Sequence, residues 1–269
     1  FLDILYFKSF FIHFDRFSIT LLFCLSLMFM VGIIDDKNNL NPLNKSIYIT
    51  LFTSIILLLN NELLITDIRL DLLDRIYFYN FSFLFTLLCI FVFINSYNML
   101  DGENLNIGGF NLFLLLFLFY KTSFNYLFFI LIITNLFFLV QNFKNKTFFG
   151  NNGTHFFSFF LSIILIYCFK NYNSINEEDI ILSLIFPVTE LVRLFFLRIY
   201  QNKSPFTGDK NHFHHLSTKI FGKFKGIIIC QIFISFSIII DFIFKLYLWY
   251  IVGLFLILYF SSIYLMNSY

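Results

Sequence analysis

Charge is scarce in this chain. Asp, Glu, Lys and Arg make up 13% of its 269 residues, about half the share of a globular chain, which excludes an ordinary soluble domain. The charges nearly cancel, at +2, and with no concentrated basic stripe nucleic-acid binding is excluded as well. Cysteine is sparse too. Cys24, Cys89, Cys168 and Cys230 stand singly in apolar runs, with no CxxC pair and no adjacent His, and so read as small buried hydrophobes rather than disulfides or zinc ligands. Alanine is missing while Phe numbers 45, a bias expected of AT-rich coding DNA that says nothing of mechanism. The chain opens on Phe1 rather than Met. Residues 1–16 are neither a signal peptide nor a full span, and are expected to be the remnant of a longer N-terminal segment.

The rest of the chain is apolar: 59% of residues are hydrophobic and the mean hydropathy is +0.83. A bilayer core about 30 Å thick takes roughly 20 apolar residues per helix. Cutting where charges and Asn, Gly or Pro interrupt the runs predicts an all-α, polytopic transmembrane bundle in one domain. About nine spans are expected, at Phe17–Ile34, Ser46–Leu59, Ile76–Ile94, Leu105–Tyr120, Phe124–Val140, His155–Phe169, Ile180–Ile199, Gly226–Ile240 and Leu246–Met266. Ser46–Leu59 is short and is expected to extend to Leu64 or to be partly re-entrant.

If the spans alternate, one set of loops holds Lys37, Lys45, Lys144, Lys146, Lys203, Lys210, Lys219, Lys223 and Lys225, while the other holds Arg69, Arg75, Lys121, Lys170 and Lys245 beside most of the acids. The positive-inside rule makes the first set cytoplasmic, including the long His-rich loop 200–225.

Four polar clusters fall in that set. Asp35 and Asp36 end a span in GIIDDKNNLNPLNK; adjacent carboxylates repel, and a diphosphate-bound Mg²⁺ relieves the repulsion, although Asp and Asn also suit a plain helix-ending turn. In INSYNMLDGENLNIGG, Asn95 and Asn98 lie one helical turn apart before Asp101, Gly102 and Asn104; amides at a span end are costly unless they face a polar cavity, while a connecting loop explains them equally. FFGNNGTHF carries Gly150, Asn151, Gly153 and Thr154 just ahead of a span, which suits either an anion-binding helix N-terminus or a simple turn and cap. SPFTGDKNHFHHL places His212, His214 and His215 beside Asp209 and Lys210, offering imidazole donors and cations to phosphate and sugar oxygens, with transition-metal chelation the weaker reading. Within a span, Glu190 and Arg193 are three apart and can pair, as a functional or a structural couple.

In order, spacing and membrane side these clusters resemble the polyprenyl-phosphate N-acetylhexosamine-1-phosphate transferases of glycosyltransferase family 4, over roughly Val31 to Leu216. That family's Gly-x-x-Asp-Asp segment with a following Pro and Lys matches Gly32, Asp35, Asp36, Pro42 and Lys45. Its Asn-x-x-Asn-x-x-Asp-Gly segment matches Asn95, Asn98, Asp101 and Gly102. Its Gly-Asp-x-Gly-Ser segment aligns with Gly150, Asn151, Gly153 and Thr154, and its His-x-His-His loop with His212, His214 and His215. Two positions depart, since Asn151 stands where family members carry a metal-ligating Asp and Asn104 where a second Asp is common. Asn offers a carbonyl oxygen to Mg²⁺ but no charge.

The resemblance implies Mg²⁺-dependent (alternatively Mn²⁺-dependent) transfer of N-acetylhexosamine-1-phosphate from a UDP-sugar to polyprenyl (undecaprenyl) phosphate, releasing UMP and initiating cell-envelope polysaccharide or lipopolysaccharide synthesis. It further implies a bacterial inner-membrane protein with cytoplasmic active-site loops, for which a homodimer is one possible state. Catalytic roles then fall to Asp35, Asp36 and Asp101, metal ligation to Asp35, Asp36 and Asn151, and substrate binding to Asn95, Asn98, Asn104, Lys45, Lys210, His212, His214 and His215. An impaired family member and an intramembrane transporter are the alternatives. A transporter would set its polar residues near the bilayer midplane, whereas these gather at one face, and only Glu190 and Arg193 suit that reading.

Overall fold

Where lipid replaces water as the outer solvent, backbone groups must be satisfied within each segment, and the chain answers with helices almost throughout. A computed structural model describes residues 15–205 and 211–268. Ten helices follow in order: α1 Arg16–Asn38, α2 Pro42–Leu59, α3 Ser82–Leu100, α4 Asn106–Lys121, α5 Tyr126–Phe143, α6 Gly150–Asn171, α7 Glu177–Tyr200, α8 Phe213–Phe221, α9 Lys223–Phe244 and α10 Leu248–Ser268. Eight of them are long and apolar enough to cross a membrane. The fold is an all-α polytopic bundle.

Helix boundaries follow local chemistry. Asp15 caps α1 through Ser18 N–H at 2.9 Å, and Asn39 closes it in the left-handed region at φ 47°. Asn41 caps α2 through Leu43 N–H with Pro42 at the first helical position, where its missing N–H costs nothing. Asn176 and Asp179 form a reciprocal capping box on α7. Leu22, Leu58, Phe137 and Ile257 are exposed outward, while Asn106, Asn111 and Asn135 are buried inward. The interior is still mainly apolar, and it is the apolar exterior that suits a bundle in lipid. Inside, Tyr97 donates to Asn111 Oδ1 at 2.7 Å and Asn135 Nδ2 to the Gly108 carbonyl at 2.9 Å, ties worth about 0.6–2 kcal/mol each between membrane helices.

Several sequence expectations are corrected. Of nine spans, the fourth, α4, has only 16 residues. Its ends are fixed by Asn106, whose side chain bonds to the Leu100 carbonyl, and by Lys121, which pairs with Asp179. The second span extends backward to Pro42 rather than forward to Leu64, because Asn60 ends α2 and residues 61–63 form a 3₁₀ turn. Between α2 and α3 a short antiparallel hairpin pairs Asp67–Ile68 with Ile76–Tyr77, so Ile76 belongs to a strand rather than to the third span. The segment 200–225 is not loop throughout, since α8 and the start of α9 occupy its second half. Cys89 is half-buried, while Cys24, Cys168 and Cys230 are buried. Residues 1–14, within the expected N-terminal remnant, and 206–210, with Asp209 and Lys210, lie outside the described residues.

One end of the bundle gathers the hairpin, with Arg69 N–H on Glu177, Asp71 N–H on Glu178 and Trp249 Nε1 on the Asp71 carbonyl. The opposite end gathers the described residues of the four polar clusters.

Candidate active site

A close helix crossing puts α1 against α6. A Cβ on Gly32 would stand 2.2 Å from Asn152 Cα, so only glycine permits this approach. One turn further along α1, Asp36 reaches the start of α6 and accepts from Asn151 N–H at 2.9 Å and Asn152 N–H at 3.2 Å. The Gly-Asn-Asn-Gly-Thr stretch is therefore the first turn of α6, not a loop ahead of it, and the anion at that helix N-terminus is the Asp36 carboxylate. Gly150 starts the turn at φ 68°, with Asp36 beside it, a conformation that favours glycine.

Asp101 arrives at the same turn from the end of α3. Thr154 donates to Asp101 Oδ2 at 2.8 Å, and the Gly150 carbonyl oxygen lies equally near the hydroxyl. Burial pushes the Asp101 carboxyl above its ordinary range, the Asp36 charge adds to that rise, and the Thr154 hydrogen bond opposes it. Two carboxylates thus face each other across one helical turn.

Asp35 is placed differently. It is fully buried, with Oδ2 paired to Lys45 Nζ at 2.7 Å and 3.4 Å from His155 Nε2, while Leu40 N–H donates to Oδ1 at 2.9 Å. The Lys45 side chain is a quarter exposed, so Asp35 holds a cation at the site's edge. His155, on α6, is buried and its Nδ1 has no hydrogen-bond partner.

The His-rich segment closes the other side. His214 packs on Gly102, where a Cβ would stand 2.0 Å from Nε2, and His215 Nδ1 is 3.5 Å from Glu103 Oε1. The His212 and His214 rings stack at 5.2 Å. Burial, with His215 and His212 adding to it, lowers the His214 pKa to about 3. It is a neutral imidazole with a buried, unpartnered Nε2, and so offers a neutral nitrogen rather than a positive charge.

The amides divide. Asn95 and Asn98 lie half-buried on the last turns of α3, Asn95 bonding to the Phe91 carbonyl of its own helix. Asn104 turns away and donates to Asn145 on the α5–α6 connection. Sequence reasoning missed His155, which looks like any residue of an apolar run. It also missed how Glu190 and Arg193 join the site: Glu190 Oε1 accepts the Phe213 N–H at 2.8 Å and Arg193 Nη2 donates to the Asn211 carbonyl at 2.7 Å.

Among the described residues no three His, Cys, Asp or Glu side chains form a ready metal cage. The Asp36 and Asp101 carboxylates, both brought to the first turn of α6, nevertheless fit Mg²⁺ as it occurs with phosphates, held by one or two carboxylates and completed by substrate oxygens and water. Asn151, at the same turn, could add a neutral oxygen. Asp35 fits less well, since its oxygens already engage Lys45, His155 and Leu40.

The chain is similar to two curated relatives. A Thermotoga maritima protein named undecaprenyl-phosphate alpha-N-acetylglucosaminyl 1-phosphate transferase is 28% identical over 149 residues, covering 55% of this chain and 46% of its own length. A Yersinia pestis protein of the same name is 26% identical over 148 residues, covering 51% of this chain and 40% of its own length. The chain therefore aligns with less than half of each relative. The family model described as Glycosyl transferase family 4 matches residues 18–169, from α1 to the end of α6, which carry the Asp35–Asp36, Asp101 and Thr154 clusters. With more than half of its length matched, the chain belongs to glycosyl transferase family 4.

Proposed function

We propose that the protein transfers N-acetylhexosamine-1-phosphate from a UDP-sugar to polyprenyl phosphate, as the first membrane step of a cell-envelope glycan. The observation that carries this reading is the meeting of Asp36, Asp101 and Thr154 on the first turn of α6, with His214 and His215 against Gly102 and Glu103. Family membership and the relatives' names support it.

Transfer of a phosphoryl group between two anions is limited by positioning and charge neutralisation. In the proposed reaction an oxygen of polyprenyl phosphate attacks the β-phosphorus of the UDP-sugar. The bond from that phosphorus to the oxygen bridging the two phosphates breaks, and UMP leaves with the bridging oxygen. Mg²⁺, when bound by Asp36 and Asp101, supplies charge neutralisation on the diphosphate. Thr154 fixes the Asp101 carboxylate and the N–H groups of Asn151 and Asn152 fix that of Asp36. Lys45, oriented by Asp35, presents its ammonium to a phosphate. His214 and His215 line the donor side, and Asn98 completes the rim. The acceptor phosphate needs no covalent nucleophile from the protein and sits at headgroup level, its chain among the helices. The charge asymmetry of the loops supports a cytoplasmic site at the bacterial inner membrane.

The test is product analysis. Membranes carrying the full-length protein, given UDP-N-acetylglucosamine labelled in the sugar, should form an organic-extractable polyprenyl diphosphate sugar with Mg²⁺ present. Turnover appearing only in Asn151→Asp would identify an impaired family member, and no product from either form would overturn the proposal.

A further inference from the structure

The best-connected buried ionic group in the described chain lies on α7 and α10, outside the matched family region. Glu190 is 1% exposed. Arg193 donates to it through Nε at 3.2 Å and Nη2 at 2.9 Å. Tyr259 of α10 joins both, accepting from Arg193 Nε at 2.7 Å and donating to Glu190 Oε2. A charge pair inside a bundle is expensive and is weak evidence of stability by itself. This one spends its remaining bonding capacity on the His-rich segment: Glu190 Oε1 takes the Phe213 N–H, Arg193 Nη2 the Asn211 carbonyl, and His212 Nδ1 stands 3.8 Å from Glu190. Five residues on, Arg198 Nη1 donates to the Pro205 carbonyl at 2.8 Å. The backbone entering α8 is thus clamped from α7, and the clamp is braced by a hydroxyl from α10.

We propose that Glu190, Arg193 and Tyr259 are positioning residues that seat His214 and His215 against Gly102 and Glu103. They touch no substrate and act through the α8 N-terminus. The last helix thereby controls the donor side of the site, while the acidic side, built on α1, α3 and α6, is independent of it. This rests on the proposed function only for its kinetic consequence.

Tyr259→Phe deletes one oxygen and keeps the ring that stacks on Phe213 and Phe255, so helix packing is preserved. Arg193→Lys, which keeps the charge but loses the fork that spans Glu190 and Asn211, is the second variant. The readout independent of activity is modification of His214 by diethyl pyrocarbonate, followed by mass spectrometry of the purified full-length protein. His214 is 2% exposed and should resist the reagent in the wild type and become modified in both variants. In the kinetic arm, KM for the UDP-sugar should rise about tenfold, the size of one lost charge-assisted hydrogen bond, with KM for polyprenyl phosphate unchanged. In a His215→Ala background Tyr259→Phe should add little. Unaltered His214 protection in both variants, or additive effects with His215→Ala, would overturn the proposal. A wild type without transferase activity would overturn the function proposed above, and the labelling arm would still decide this one.

Discussion

Thr154 Oγ1 lies 2.8 Å from Asp101 Oδ2, joining residues 53 positions apart. It fixes a carboxylate at the end of α3 to the first turn of α6, the turn whose N–H groups already hold Asp36.

Replacing Thr154 by Val keeps the side-chain shape and removes that bond. A hydrogen bond to a charged group is worth about 1.5–3 kcal/mol, so turnover should fall about ten- to a hundredfold, with protein yield unchanged. Thr154→Ser should restore most of it. Equal rates for Val and Thr would remove Thr154 from the site.

Gly32→Ala places a methyl 2.2 Å from the Asn152 backbone. Neither helix can yield without moving Asp36 off the start of α6. Overpacking of this kind costs about 1–3 kcal/mol. The melting temperature in detergent should drop and activity should fall with it, whereas an unaffected variant would mean that α1 and α6 are farther apart than described.

How much of this was legible in the sequence depends on which physical signal each residue sends. Membrane helices are apolar nearly all round, so span positions could be read from hydropathy, but which face of each looks inward could not. Asp36 and Asp101 were visible as carboxylates at span ends; that one turn of α6 joins them was not, because the joining groups are backbone N–H and a single Thr. His155 was hidden for a related reason. A His following Thr154 in a Phe-rich run has no local signature, and only the fold brings it 120 residues back to Asp35. The Glu190–Arg193 pair was legible from its spacing, while Tyr259 had no signal among the many aromatics. The hairpin at 67–77 was lost because its two-residue strands are too short to show alternation.

His214 gives a pH dependence. Its folded pKa is about 3 against 6.5 for the free side chain, so the folded state keeps it neutral. Its contribution to stability is complete above about pH 6.5 and is lost progressively as pH falls toward about 3. Thermal unfolding in detergent should show a melting temperature that declines between about pH 6.5 and about pH 5, with a shallower decline in His214→Gln. Parallel curves for the two proteins would contradict the burial of a neutral His214.

Sidedness can be read with thiol reagents. A cysteine at exposed Lys203, near the His-rich segment, should label only from the cytoplasmic face. One at Leu72, which is 77% exposed on the hairpin connection, should label only from the opposite face. Reversal of the two would invert the orientation drawn from the lysine distribution.

The central claim is that Asp36 and Asp101 at the start of α6 support phosphoryl transfer to a lipid phosphate, and UMP release by the purified full-length protein tests it most directly. UMP should form from UDP-N-acetylglucosamine or a related UDP-N-acetylhexosamine only when both polyprenyl phosphate and Mg²⁺ are present. Chelation should abolish it, and Asp101→Asn should lower it by at least about a hundredfold. UMP release that needs no lipid phosphate, or that is unchanged in Asp101→Asn, would contradict the account.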